Sequence, residues 1–401
     1  MRVLFGHPTG TPFAHHAALS HFDAGRLAAF CVPWMPRPAT LSALSAIPPL
    51  KPMAQRLGRR YFPPLARAPL VQGRLGEWRR LLVRAIGGDN DALVREANEW
   101  LMRVMTRECR RADVTAVHAY EDCSLEQFIE AKRLGKACIY DMPIGYFRAW
   151  DRLTAALDAK YADWLKPGRR VEFASPAQKQ QEMALADLVL APSRFVADGV
   201  HEFFPDKRIA IAPFGVDIDA WPFEERRAAG GVMTFLFAGQ CSVRKGTPLL
   251  LRAWQAAGLK DARLKLVGSW GLAEDKRAQL PPGCDWIGPV SRDALRAHYR
   301  AAEVFVFPTN FEGSPLVVGE AASSGLPVLT TRGSGGDSIL DEQSGRIIDA
   351  DDLDALVEAL RWFDHHRDEI PALGRAARAS AERFIWARYR AAVSEAVAEF
   401  A

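Results

Sequence analysis

Short apolar runs separated by helix-length stretches constrain this chain more than any other feature. The first half carries Val3–Phe5, Leu27–Val32, Val114–Ala119, Ala137–Tyr140 and Leu188–Ala191. The second carries Phe235–Ala238, Leu264–Val267, Asp285–Ile287, Val304–Phe307, Val328–Thr330 and Arg346–Ile348. Most are continuous rather than alternating, as strands covered on both faces must be. The segments between them are long enough for the crossover helices that parallel strands require. The expected fold class is therefore α/β, built from doubly wound, Rossmann-like units.

At 401 residues the chain exceeds the size at which one core keeps growing, so two domains are expected. The strand–helix alternation pauses over residues 215–231, GVDIDAWPFEERRAAGG, where turn residues, proline and charges make linker chemistry. The boundary is placed there, with domains at 1–214 and 215–385. Two such sheets facing across a cleft can share one ligand site at the carboxyl ends of their strands.

No apolar run is long enough to span a bilayer, and MRVLFGHPTG lacks the apolar core of a secretory signal. The six cysteines are scattered without a CxxC pair, which predicts buried thiols in a reducing cytoplasm and no metal site. Charge is uneven. From Lys51 to Arg84, within a helical insertion at about 48–110, Arg56, Arg59, Arg60, Arg67, Arg74, Arg79 and Arg80 stand against the single acid Glu77. Tyr61, Phe62, Leu65, Leu70, Leu75, Trp78, Leu81 and Leu82 interleave with them. This composition suits peripheral contact with an anionic membrane, or equally a solvated helical hairpin. No nucleic-acid-binding motif accompanies it, so nucleic acid is not an expected partner.

Two motifs carry chemistry. In EVFVFPTNFEGSPLVVGEAASSGLPVLTT a strand ends at Pro308, a loop carries Glu312-Gly313-Ser314-Pro315, and a helix runs to about Gly325. Ser314 and Pro315 suit the helix start, and Gly325 suits its end. Glu320 follows Glu312 by eight residues, roughly 12 Å if mostly helical. The free N–H groups between them can seat a diphosphate, leaving one carboxylate for sugar hydroxyls and the other for a ribose. Two solvated glutamates beside a helix cap are the plain alternative. In FLFAGQCSVRKG a second strand ends at Gly239, and Arg244-Lys245-Gly246 precedes a helix. That pair can neutralise phosphate oxygens, although surface pairs of this kind are common.

Together these stretches resemble the retaining GT-B enzymes of glycosyltransferase family 4. ADLVLAPSRFV, IAIAPFGVD, LKLVGS and CDWIGPVSRDALRAHYRAAEVFVFP match in order with them, so the resemblance covers about Ala186 to the C-terminus. It implies two Rossmann-like domains, the first binding the acceptor and the second a nucleotide-sugar donor. ERFIWARYR resembles the segment that returns the final helix, 386–401, to the first domain. Arg244 and Lys245 would contact the diphosphate and Glu312 the transferred sugar. Gly313, Ser314, Pro315 and Leu316 would line sugar and phosphates, Glu320 would bind the ribose, and Val290 would lie beside the base. Gln240 departs from the arginine that many members carry after the strand glycine. The resemblance alone implies retention and a hexose-type sugar passed to a glycan or lipid-linked acceptor. No cofactor and no metal are expected, since no DxD-like cradle ends a strand.

The first half is less diagnostic. GHPTGTPFAHH resembles the family's first loop, with Gly10 as its close-approach glycine; His7, His15 and His16 are loop or cap histidines or touch an anionic acceptor. His118 is the acceptor-side match, unless it faces the core from within its strand. Glu121 is a candidate base, Tyr120 stands beside it, and Asp141 is a weaker strand-end carboxylate. A GT-B epimerase, a pyridoxal-dependent phosphorylase and a non-catalytic, membrane-associated scaffold share the architecture. A Rossmann dehydrogenase is disfavoured, because GHPTGTP lacks G-x-G-x-x-G. Surface-polysaccharide or glycolipid synthesis at the inner face of a bacterial membrane is the expected setting.

Overall fold

The computed structural model describes the chain outside residues 86–89, 167–173, 227–229, 333–334, 336–338, 341 and 401, and outside the side chains of 81–82, 84–85, 90–91 and 342. Leu81, Leu82 and Arg84 of the basic stretch, and 227–229 of the expected linker, therefore lie outside the described residues.

Two parallel sheets form. The first comprises β1 (Val3–Gly6), β2 (Leu27–Val32), β3 (Leu70–Gln72), β4 (Ala116–Tyr120), β5 (Ala137–Asp141), β6 (Leu188–Ala191) and β7 (Ile209–Ile211), in the order β3-β2-β1-β4-β5-β6-β7. The second comprises β8 (Met233–Ala238), β9 (Ala262–Val267), β10 (Cys284–Gly288), β11 (Val304–Phe307), β12 (Val328–Thr331) and β13 (Gly345–Ile348), in the order β10-β9-β8-β11-β12-β13. β1, β2, β6, β8, β11 and β12 are buried at every position, which is why their sequences run apolar without alternation.

Strand order reverses between β1 and β4 in one sheet and between β8 and β11 in the other. Diverging crossovers open a crevice at each reversal, and ligands of open α/β sheets bind there. The two crevices face each other. The loop after β11 packs Phe311 against Trp150 and Phe195 of the first sheet's unit, with ring centroids 4.9 and 5.2 Å apart.

The chain crosses between the units twice, side by side. Val216 N–H donates to Phe384 O at 2.8 Å, and Val216 pairs in parallel with Ile385. Helix Trp386–Phe400 then packs on helix Pro12–Asp23, where Ser20 Oγ donates to Arg390 O at 2.8 Å and Arg26 donates to Ser394 O at 3.1 Å. Before the second sheet begins, the buried guanidinium of Arg226 donates to the carbonyls of Arg300, Ala302, Ser324 and Gly325. It thereby satisfies the ends of two helices whose last carbonyls have no intrahelical donor.

The basic stretch differs from its expectation in three ways. It contributes β3, a three-residue edge strand between Pro69 and Gly73, too short to show a period. Arg60 and Arg80 are not surface charges: both turn onto buried Glu77, at 2.6 and 3.7 Å, because a carboxylate removed from water needs opposite charge beside it. Leu65 is fully buried, Phe62 and Leu70 pack on the same core and Trp78 packs on a smaller cluster, leaving Leu75 exposed. No helix among the described residues is long and apolar enough to cross a membrane.

Candidate donor site between the sheets

The site is assembled by the loops after β8 and β11. Asn310 N–H donates to Arg244 O at 2.8 Å, and Asn310 Nδ2 donates to Val243 O at 2.9 Å. These ties fix the two loops together before any side-chain charge is considered. Arg244 Nη1 then donates to Phe311 O at 2.9 Å and to Glu312 Oε1 at 2.5 Å. Lys245 Nζ reaches the same Oε1 at 2.6 Å and lies 4.8 Å from the Phe307 ring centroid. Burial lowers the Lys245 pKa and outweighs the neighbouring Glu312, which raises it. Gln240 is exposed, and its side chain lies beside Gly271.

The following helix spans Leu316–Ser323. Its first residue comes later than the motif suggests: Pro315 is the N-cap, and no side-chain bond caps the end. Ser314 is buried in the loop and is not the capping residue. Gly313 packs so closely against the first sheet's loops that a Cβ there would lie 1.8 Å from Pro143 O. Glu320 sits half-buried one turn into the helix, its pKa pushed up to about 7 by burial, with Arg292, Tyr299 and Arg296 opposing. Val290 is half-buried beyond β10 and packs on the second core.

On the facing edge, His7 Nδ1 accepts from Thr9 N–H at 3.1 Å and Gly10 N–H at 3.0 Å. Gly10 has φ +68°, a left-handed turn that favours glycine. Its amide is committed to His7 and is not free for a phosphate. Burial holds His7 near 3, His15 near 4 and His16 near 3, so all three rings are neutral at pH 7. His118 lies within β4 with no exposure, its Nδ1 2.9 Å from His21 Nε2 and its Nε2 3.5 Å from Asp141 Oδ2. Glu121 stands at the end of β4, only 6% exposed, pushed up to about 8 by burial and Asp122, with Lys179 3.7 Å away. Among the described residues no group of three or more His, Cys, Asp or Glu is placed to hold a metal.

Residues 233–363, from β8 through most of helix Leu353–His365, match the model of the glycosyl transferases group 1. The chain has the GT-B fold, and its group 1 match lies within the second sheet's unit. It is 33% identical over 238 residues to a D-inositol 3-phosphate glycosyltransferase of Pseudarthrobacter chlorophenolicus, covering 52% of this chain and 55% of that one. It is 32% identical over 157 residues to a sulfoquinovosyl transferase of Arabidopsis thaliana, covering 38% and 30%. The chain thus spans about half the length, or less, of these curated relatives. Sucrose-phosphate synthase from Thermosynechococcus elongatus superposes with a TM-score of 0.66 at 14% identity, over 100% of this chain and 99% of that one. The Anabaena HepE protein in complex with UDP-glucose gives 0.62 at 13%, over all of both chains.

In this GT-B chain the geometry corrects the acceptor-side reading. His118 is sealed in the first core between Phe5 and Asp141, so no acceptor reaches it; its strand-interior position, not a loop, explains this. Glu121, three residues further along and directly after the last residue of β4, is the strand-end group instead. The pairing of Arg244 and Lys245 with Glu312, and the place of Arg59 and Tyr61 beside Glu320, are set by the tertiary structure. The reversal of strand order carries the first; no local signal carries the second.

Proposed function

We propose that the chain is a glycosyltransferase that moves a hexose-type sugar from a nucleoside-diphosphate donor to a glycan or lipid-linked acceptor. The convergence of Arg244 and Lys245 on Glu312 at the β8–β11 reversal carries this reading. In it, the second unit binds donor: the two cations stabilise charge gathering on the departing diphosphate, Glu312 holds the sugar, and Glu320 holds the ribose. The amide groups from Gly313 to Leu316 line sugar and phosphates, and Val290 lies beside the base. Two fixed cations do the work a metal would do, so chelation with EDTA leaves the rate unchanged.

The family 4 resemblance adds retention of configuration, through an oxocarbenium-like transition state with the departing phosphate taking the acceptor proton. The first unit binds the acceptor. A groove of about 860 Å3 opens beside Phe311, lined by Leu153, Ala156 and Phe195 and by Arg194, Arg332, Asp198 and Glu202, which suits an acceptor with apolar and polar parts. Exposed Lys51, Arg56, Arg67, Arg74 and Arg79 support electrostatic contact with an anionic membrane at the inner face, as surface-polysaccharide or glycolipid synthesis would use.

A thermal-shift screen against UDP, GDP, ADP and their sugars tests the core of the proposal. A ligand at about 100 times its Kd adds roughly 2.7 kcal/mol of apparent stability. No shift with any of them removes the donor assignment. Flotation with anionic liposomes tests the membrane part, and equal flotation after Arg56, Arg67, Arg74 and Arg79 are replaced by alanine removes it.

A further inference from the structure

The proposed donor site has a second wall, supplied by the basic segment. A cavity of about 280 Å3 lies between the two units, with Leu316 and Glu320 from the first turns of helix Leu316–Ser323 on one side. Facing them are His15 of helix Pro12–Asp23 and Arg59, Tyr61 and Phe62 of the basic segment. The segment is held in place on both flanks. Leu57 and Leu65 are fully buried, Arg60 is fixed on Glu77 at 2.6 Å, and Phe62 stacks on His15 with centroids 5.1 Å apart and planes 10° apart.

Two polar groups on this wall are unspent. Arg59 is exposed at the cavity and makes no hydrogen bond or ion pair among the described residues. His15 is 4% exposed, and its buried Nε2 has no hydrogen-bond partner among them. The opposite holds across the site. Arg244 and Lys245 both contact one oxygen of Glu312, so part of their charge is already neutralised. A nucleoside diphosphate carries more negative charge than that pair has left, and a guanidinium presents paired donors that match phosphate oxygens.

We propose that Arg59 is a donor-binding residue whose guanidinium contacts phosphate oxygens of the nucleoside diphosphate. The basic segment then acts through one arginine turned toward an anionic ligand, with Phe62 and Tyr61 as its walls. The proposal rests on the donor reading above and adds a residue from the other unit to it, so that donor binding draws the two units together.

Isothermal titration tests it, using UDP, GDP and ADP and the matching nucleosides. Arg59→Ala is compared with wild type, with Arg59→Lys and with Arg67→Ala, an exposed arginine of the same segment outside the cavity. For the diphosphate that binds wild type, Arg59→Ala raises Kd about tenfold, the size of one lost charge-assisted contact. Arg59→Lys recovers part of the loss, the matching nucleoside changes less than about twofold, and Arg67→Ala equals wild type. An unchanged Kd in Arg59→Ala overturns the proposal while leaving the donor reading standing, and so does an equal loss in Arg67→Ala or for the nucleoside. If wild type binds none of the three diphosphates, both readings fall together.

Discussion

Lys245 Nζ lies 2.6 Å from Glu312 Oε1, joining the loop after β8 to the loop after β11 across the reversal in strand order. Arg244 shares the same oxygen at 2.5 Å, so the carboxylate keeps a cation when either partner is removed.

Lys245→Ala is accordingly expected to cost little stability, less than about 2 kcal/mol, because Arg244 still compensates Glu312. Donor affinity and transfer rate should each fall about tenfold or more, since the lost charge faces the diphosphate. Urea denaturation and donor titration measure the two effects separately. A large stability loss with unchanged donor affinity would make the pair purely structural.

Glu320 sets a pH dependence with a definite sign. Its folded pKa, about 7, lies above its ordinary value of 4.5, so the folded state holds the proton more tightly than the unfolded chain does. Its contribution to stability is fully present below pH 4.5 and is lost as pH rises to 7, after which it is level. Glu320→Gln should remove this slope, so the difference in Tm between variant and wild type should widen from pH 4.5 to 7. A constant difference across that window would refute the assignment. Glu121 acts in the same direction up to about 8 but is common to both proteins and cancels.

Gly313 is required by closeness, since a Cβ would lie 1.8 Å from Pro143 O on the facing unit. Gly313→Ala must push the two loops apart, at a cost of about 1–3 kcal/mol, and should weaken donor binding because Glu312 moves with it. Calorimetry and donor titration check both; a wild-type melt would show that the units do not pack this way in solution.

Glu77 compensates Arg60 and Arg80 inside the basic segment. Glu77→Ala takes from the largely buried Arg60 guanidinium its carboxylate at 2.6 Å and should destabilise by about 3 kcal/mol, whereas Arg79→Ala, in an exposed pair with Glu96, should change stability by less than about 1 kcal/mol. Denaturation midpoints decide it. Equal effects from the two variants would contradict burial of Glu77.

The legible part of this protein is the part whose signal is local. Eleven apolar runs coincide with strands of the two sheets, and six of those strands are buried at every position, since a strand buried on both faces has to be apolar along its length. The motifs around Arg244 and Glu312 are legible for a related reason: a strand end, a loop and a helix start lie consecutively in the chain. β3 escaped notice because three half-buried residues at a sheet edge carry no period.

The tertiary structure decided which of these residues meet. Lys245 and Glu312 are 67 residues apart and come together only because β11 inserts next to β8. His118 looked like an acceptor-side group, yet its place in β4 turns it into the core, while Glu121 at the strand end stays at the edge. Arg60 and Arg80 read as surface charge until burial of Glu77 drew them in, and Arg59, one residue away, faces Glu320 from the other unit. The sequence by itself determined where strands and helices form, since hydrophobic period and turn chemistry act over a few residues. Only the tertiary structure determined which charges face one another, because that depends on strand order and on how the two sheets' loops meet.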